Sequence, residues 1–187
     1  MQSTIRTGKG HAVIAVVSVV MLLLGMLTGT AYAAESNDGY ITIGGVQVSR
    51  ALGVTTEAQL EQRYSEGYLE VDFNERAEIT AARPLTDAQM AAARQAESQS
   101  VAARSGTRVP CRSTDVCLTF TNGGQRGFYD TGIRAGNWTN VATSNSGKWY
   151  AKYRILYKGE THVSPVVGPY TIGRHYGNTI NQVTIVR

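Results

Sequence analysis

Strict alternation opens the chain beyond residue 39. Tyr40-Ile41-Thr42-Ile43 and Val46-Gln47-Val48 flank Gly44-Gly45, which predicts a short hairpin closed by a glycine turn. The period then lengthens: Thr56 and Gln59 form a capping box, and Leu60, Tyr64 and Tyr68 recur every fourth residue, so a helix is expected, its end disturbed by Gly67. Leu69-Glu70-Val71-Asp72-Phe73 alternates again, like a strand with one buried face. After Pro84, Thr86 and Gln89 repeat the box and Leu85 can staple onto Met90, starting a second helix from Asp87 to about Ala103. Only Met90 and Val101 are sizeable apolar groups there, so this helix is expected to be a mobile spacer with little packing of its own, the alternative being an ordinary helix lying across the β domain.

From Cys111 onward nothing keeps helical periodicity for three turns. Val116–Phe120, Arg126–Tyr129, Trp149–Tyr157, Tyr170–Ile172 and Ile180–Val186 are strand candidates. Asn122-Gly123-Gly124, Ser144-Asn145-Ser146-Gly147, Lys158-Gly159 and Gly177-Asn178 supply the turns between them. The expected fold is mainly β, a C-terminal Greek-key sandwich or barrel preceded by a small α/β or helical N-terminal segment.

The beginning of the chain differs from all of this. Arg6 and Lys9 precede an apolar run from Ala12 to Leu27 that leads into Ala31-Tyr32-Ala33, the pattern of a secretory signal peptide over residues 1–33. Export is therefore expected, with a secreted product that keeps no membrane span after cleavage; the rival reading is an uncleaved anchor, because no charge occurs between Lys9 and Glu35. In that compartment Cys111 and Cys117, the only cysteines, are expected to form one disulfide. So short a loop contributes roughly 2.4 kcal/mol by chain entropy.

Charge divides what remains. Residues 35–103 carry a net −6 and residues 104–187 a net +8, within a total of +4. The expected organisation is an acidic N-terminal segment over 34–85, a candidate pro-region, then a helical spacer over 86–106 and a basic β domain over 107–187. A basic face suits anionic surfaces, and an acidic segment of the same chain can cover it in cis. Glu57, Glu61, Glu70, Asp72, Glu75 and Glu78 are the side chains available for that, with proteolysis near Arg104 as the release.

Two stretches resemble the βγ-crystallin superfamily, in particular its secreted bacterial branch of metalloproteinase inhibitors and killer-toxin-like proteins. One is Cys111-Arg-Ser-Thr-Asp-Val-Cys117-Leu-Thr-Phe120 followed by Asn122-Gly123-Gly124. The other is Gly168-Pro-Tyr170 leading to Tyr176-Gly177-Asn178-Thr179-Ile180-Asn181-Gln182-Val183, similar to the closing strand of a Greek-key motif. The resemblance implies two successive motifs, over 116–155 and 156–187. Of that family's calcium-binding pattern only Asn178 is matched, so no metal site and no cofactor are expected.

Enzymatic chemistry finds little material. His162 and His175 are the only histidines after the leader, and HExxH, GxSxG and CxxC spacings are absent. A triad of His175, Asp130 and a serine can be imagined, but sequence separation carries no geometry. No catalytic residue is assigned. Binding has more to offer. In the run from Trp149 to Lys158, period two places Tyr150, Lys152, Arg154, Leu156 and Lys158 on one face, and Trp149, Ala151, Tyr153, Ile155 and Tyr157 on the other. The first set, with Arg126 and Arg134, is the expected cationic recognition surface. The expected activity is binding, antimicrobial or toxin-like, at a cell envelope, with an anionic envelope component or an extracellular protein as partner. Export argues against nucleic acid. The alternatives are an extracellular protease inhibitor working through a loop at 121–126 or 142–148, and a small secreted hydrolase.

Overall fold

The computed structural model describes residues 39–98 and 106–187. The leader and its cleavage pattern lie outside them. Residues 40–187 form one compact unit, mainly β with two short helices.

The first hairpin is built as the alternation predicts. β1 (Tyr40–Ile43) and β2 (Val46–Ser49) pair antiparallel around Gly44 and Gly45, whose φ of 55° and 83° are the left-handed values that a two-residue turn demands. Helix α1 (Glu57–Glu66) starts at the expected capping box: Thr56 Oγ accepts from the Gln59 N–H, and the Gln59 side chain accepts from the Thr56 N–H. It buries Leu60 and Tyr64. The helix ends at Gly67, where a Cβ would stand 2.0 Å from the carbonyl oxygen of Pro169, so only glycine fits. β3 (Leu69–Phe73) and β4 (Ile79–Pro84) form the next antiparallel pair, and β4 also lies parallel to β2.

Helix α2 (Asp87–Ser98) uses the second capping box, from Thr86 to Gln89. It is fastened more firmly than its composition suggests. Ala93 and Ala96 are buried in a small cluster with Leu85 and Tyr170, and Gln89 donates to the Glu70 carboxylate at 2.9 Å. Small side chains let the helix approach closely, a packing that a search for bulky apolar residues overlooks.

Seven strands follow: β5 (Gly106–Arg108), β6 (Val116–Phe120), β7 (Gln125–Tyr129), β8 (Gly132–Asn145), β9 (Tyr150–Tyr157), β10 (Glu160–Val163) and β11 (Ile172–Val186). Two of them correct the sequence reading. β8 runs through Gly136, Asn137 and Asn140, which lie outside the expected strands, and through Ser144-Asn145, which read as turn. Pairing with β11 at Gly132–Ala135, Trp138, Val141 and Thr143–Asn145, and with β6 from Val141 to Asn145, carries the strand through them, and Gly136, Asn137 and Asn140 fall where the register shifts. β11 merges two expected strands, because Gly177 marks a bend and not a turn. Tyr176 and Gly177 take φ of 51° and 90°, and the register against β8 shifts between Arg174 and Asn178.

That bend organises the sheet. The strand order is β1-β2-β4-β3-β11-β8-β6-β7-β5, with β9 added to β11 and β10 to β9. Before the bend, Ile172–Arg174 lies parallel to Glu70–Asp72 of β3; after it, Thr179–Val186 pairs with β9. The charge boundary near Arg104 is therefore not a boundary in the fold. Strands from its two sides share hydrogen bonds and one core, in which Val48, Leu60, Leu69, Val71 and Phe73 pack with Val116, Leu118, Phe128, Tyr153, Ile155, Ile180 and Val183. The segment expected as a removable pro-region supplies half of that core. The expected disulfide is present, closing the loop before β6 between Cys111 and Cys117. Among the described residues no helix is long and apolar enough to cross a membrane.

Candidate functional site

β9 obeys the predicted alternation. Ala151, Tyr153 and Ile155 are buried, while Tyr150, Lys152 and Arg154 are partly open and Leu156 is exposed. Strand register extends this outer face across neighbours, since directly paired residues point to the same side. One row is Ala135 of β8, Gln182 of β11, Arg154 of β9 and Val163 of β10; the next is Ile133, Thr184 and Lys152. Val186 with Tyr150, and Thr179 with Leu156 and Thr161, complete the face.

Two properties distinguish this surface. Its cations have no partner among the described residues: neither Lys152 nor Arg154 takes part in an ion pair, and the Arg154 Nε is buried without a hydrogen bond. No carboxylate occurs in any of its rows. It is also unusually apolar, with Ile133, Leu156, Val163 and Val186 all exposed. Among the described residues those four are half of the exposed large hydrophobic side chains, and they stand on four adjacent strands of one face.

The remaining expected binding residues lie elsewhere. Arg134 pairs with the buried Val183 and Arg126 with the buried Leu118, so both extend from the opposite side of the sheet, at its margin. Arg134 reaches back to the carbonyl oxygens of Ile133 and Tyr129. Lys158 sits in the β9–β10 turn with its Nζ 5.0 Å from the Tyr157 ring centre. It lines an open polar crevice with Glu75, Glu78, Glu160 and His162. The structure thus brings together Tyr150, Lys152 and Arg154, and separates Arg126, Arg134 and Lys158 from them. Ile133, Val163, Gln182 and Thr184 were missed, because their place beside Lys152 and Arg154 depends on which strands pair.

Among the described residues, side chains of the acidic segment meet a cation of the basic half at one place. Glu70 accepts from Arg83 Nε and Arg174 Nε, both at 2.7 Å, and Arg83 also forks onto both Asp72 oxygens. Burial works against the Glu70 carboxylate, but the hydrogen bonds from Arg174, Gln89 and Arg83 outweigh it and hold its pKa below the usual value. This cluster ties β3, β4, α2 and β11 together. Replacing Glu70 by Ala strands three donors and is expected to cost about 2–3 kcal/mol, read from urea denaturation. Glu57, Glu61, Glu75 and Glu78 are exposed, and none forms an ion pair with a cation of the basic half.

One pair has the composition of a nucleophile and its base. Ser144 Oγ and His175 Nε2 share a hydrogen bond of 2.9 Å. Its setting opposes that use: His175 is fully buried, stacked on Phe73 with ring centres 5.0 Å apart, and edge-on to Tyr153. Burial pushes its pKa down to about 3. Among the described residues the Nδ1 atom has no hydrogen-bond partner and no acid orients the ring. Asp130, the acid of the triad that can be imagined from the sequence, lies in the β7–β8 turn and accepts from the Thr131 N–H. Gly173 makes the space for this group, since a Cβ there would stand 2.7 Å from Ser144 Oγ and 2.8 Å from the Phe73 ring. The pair is a polar fastener inside the core. Among the described residues no group of three or more His, Cys, Asp or Glu side chains could hold a metal ion.

No family model, no curated protein and no solved structure matches the chain.

Proposed function

We propose that this is an exported protein that acts by binding, antimicrobial or toxin-like at a cell envelope, through the outer face of β8, β11, β9 and β10. The observation that supports this reading is the pairing of unneutralised cations with exposed aliphatic side chains on one face free of carboxylates. Lys152 and Arg154 supply attraction toward an anionic partner, and Tyr150 a broad amphipathic contact at the end of the strand. Exposed Lys and Arg also protect sheets from unwanted pairing, but that role belongs to free edges, and β9 is flanked by β11 on one side and, on the other, by β10 along Arg154–Tyr157 and by Val167 at Ala151.

The acidic segment belongs to the functional molecule on this reading and is not discarded. Its Glu70 fixes Arg174 in place and leaves Lys152 and Arg154 free for the partner. Reversing both charges, Lys152→Glu with Arg154→Glu, is expected to lower binding to isolated bacterial envelopes at least about 30-fold, taking about 1 kcal/mol for each cation lost. The fold is expected to persist, because both side chains are on the solvent side. Unchanged binding by a folded double variant removes the reading.

A further inference from the structure

We infer that the component recognised by this face is an anionic lipid bilayer surface, with Lys152 and Arg154 at the headgroup phosphates and Ile133, Leu156, Val163 and Val186 set into the interface beneath them. The inference rests on the binding reading above and names its partner.

Dimensions come first. Four adjacent strands about 4.8 Å apart, and four rows about 6.7 Å apart along β9, give a face of about 14 by 20 Å. Within it cations and aliphatic side chains are interleaved and not sorted into separate zones. Val163 lies directly beside Arg154 across the β9–β10 pair, and Ile133 is in the Lys152 row. An anionic polymer in water engages the two cations and leaves the four aliphatic groups hydrated, so it gains nothing from them. A bilayer interface carries negative charge at the surface and apolar chains a few ångströms below, and rewards both kinds of side chain at once. Lys152 and Arg154 suit that boundary because their stems can lie along apolar surface while the charged ends stay with phosphate.

A protein partner is the competing occupant. Protein interfaces concentrate their affinity in anchors that fill pockets. The described cavities of about 860, 290 and 150 Å³ are lined by other residues. The face offers breadth and mixed chemistry instead of a socket, which fits an extended surface. Its aliphatic groups project singly from β-strands, so the expected association is shallow and reversible and does not span the membrane.

Vesicle flotation tests this with a chain beginning at Glu35, which keeps the whole compact unit and omits the apolar leader. With vesicles of 30% phosphatidylglycerol in phosphatidylcholine, binding is expected; with phosphatidylcholine alone, binding at least ~10-fold weaker is expected. The triple variant Ile133→Ser, Leu156→Ser, Val163→Ser keeps both cations. It is expected to lose about 10- to 100-fold in vesicle partitioning, from the apolar area withdrawn, and to retain binding to soluble polyphosphate. Circular dichroism and a thermal melt of the variant establish that it is folded; if it is not, Leu156→Ser alone, expected to lose several-fold, replaces it. No preference for the anionic vesicles, or equal vesicle binding by a folded aliphatic variant, overturns the lipid inference. In that event, loss of envelope binding by the Lys152→Glu, Arg154→Glu variant with lipid-extracted envelopes still bound by the parent leaves the binding reading standing with a protein or polymer partner. Failure of the charge variant to lose any binding sinks both.

Discussion

Expressed without residues 40–98, the basic strands will not fold. Residues 106–187 include the disulfide, most of the strands and the whole cationic face, yet half of the main core cluster comes from the other side of the charge boundary. Phe73 shows why. It is 1% exposed, stacks on His175, and meets the Tyr153 ring edge-on at 6.0 Å. Removing β3 also deprives β11 of its parallel neighbour and leaves backbone groups of Ile172–Arg174 unpaired. In the intact chain, Phe73→Ala alone is expected to cost about 3–5 kcal/mol. The isolated fragment is expected to show no cooperative unfolding transition by urea titration. A chain cut once between Ser98 and Gly106 is expected to run as a single species on gel filtration, because the contacts that unite its parts are non-covalent and internal. A cooperative fragment that binds envelopes as well as the parent would restore the pro-region reading.

Mild acid will weaken the fold through His175. Its folded pKa, pushed down to about 3, lies well below the unfolded value near 6.5. Below pH 6.5 the unfolded chain takes up a proton that the native chain refuses. The stabilisation is therefore complete above pH 6.5 and declines as pH falls toward 3, by about 1.4 kcal/mol per pH unit. Between pH 6.5 and 5, before carboxylates titrate appreciably, this amounts to about 2 kcal/mol, or roughly 4–8 °C in Tm for a chain of this size. No carboxylate touches the ring to counter the effect: its neighbours are Ser144, Phe73 and Tyr153. His175→Gln keeps a hydrogen-bonding partner for Ser144 but cannot take up the proton. Its Tm is expected to be nearly flat over that interval, whatever its value at pH 7. A variant with the parent's slope would assign the acid sensitivity elsewhere.

Local rules were legible wherever local chemistry decides. Thr56 with Gln59 and Thr86 with Gln89 start helices where the capping boxes stand, Gly44-Gly45 turns the first hairpin, and period two in β9 separates Tyr150, Lys152 and Arg154 from Ala151, Tyr153 and Ile155. What depends on distant partners was hidden. The pairing of β3 with β11 brings together residues about a hundred positions apart, and it turns two apparent segments of opposite charge into one sheet. β8 becomes a strand because β11 pairs along it and β6 pairs with its Val141–Asn145 end, not because Gly136 or Asn140 favours extension. The site was visible to the extent that one strand carries it. Lys152 and Arg154 could be read from alternation, whereas Ile133 and Val163 join them only through register. Arg126 and Arg134 were grouped with them by charge alone, and their strands direct them to the other side of the sheet.

The central claim is that the position of the cations on this face, and not the net charge of the chain, carries recognition. Two variants with the same change in charge separate these. Lys152→Glu with Arg154→Glu alters the face, while Arg50→Glu with Arg76→Glu alters exposed sites on other elements. Binding of each to isolated bacterial envelopes at one ionic strength is the direct measurement. The first pair is expected to lose at least about 30-fold and the second to remain within about two-fold of the parent; equal losses, or no loss in either, contradict the account.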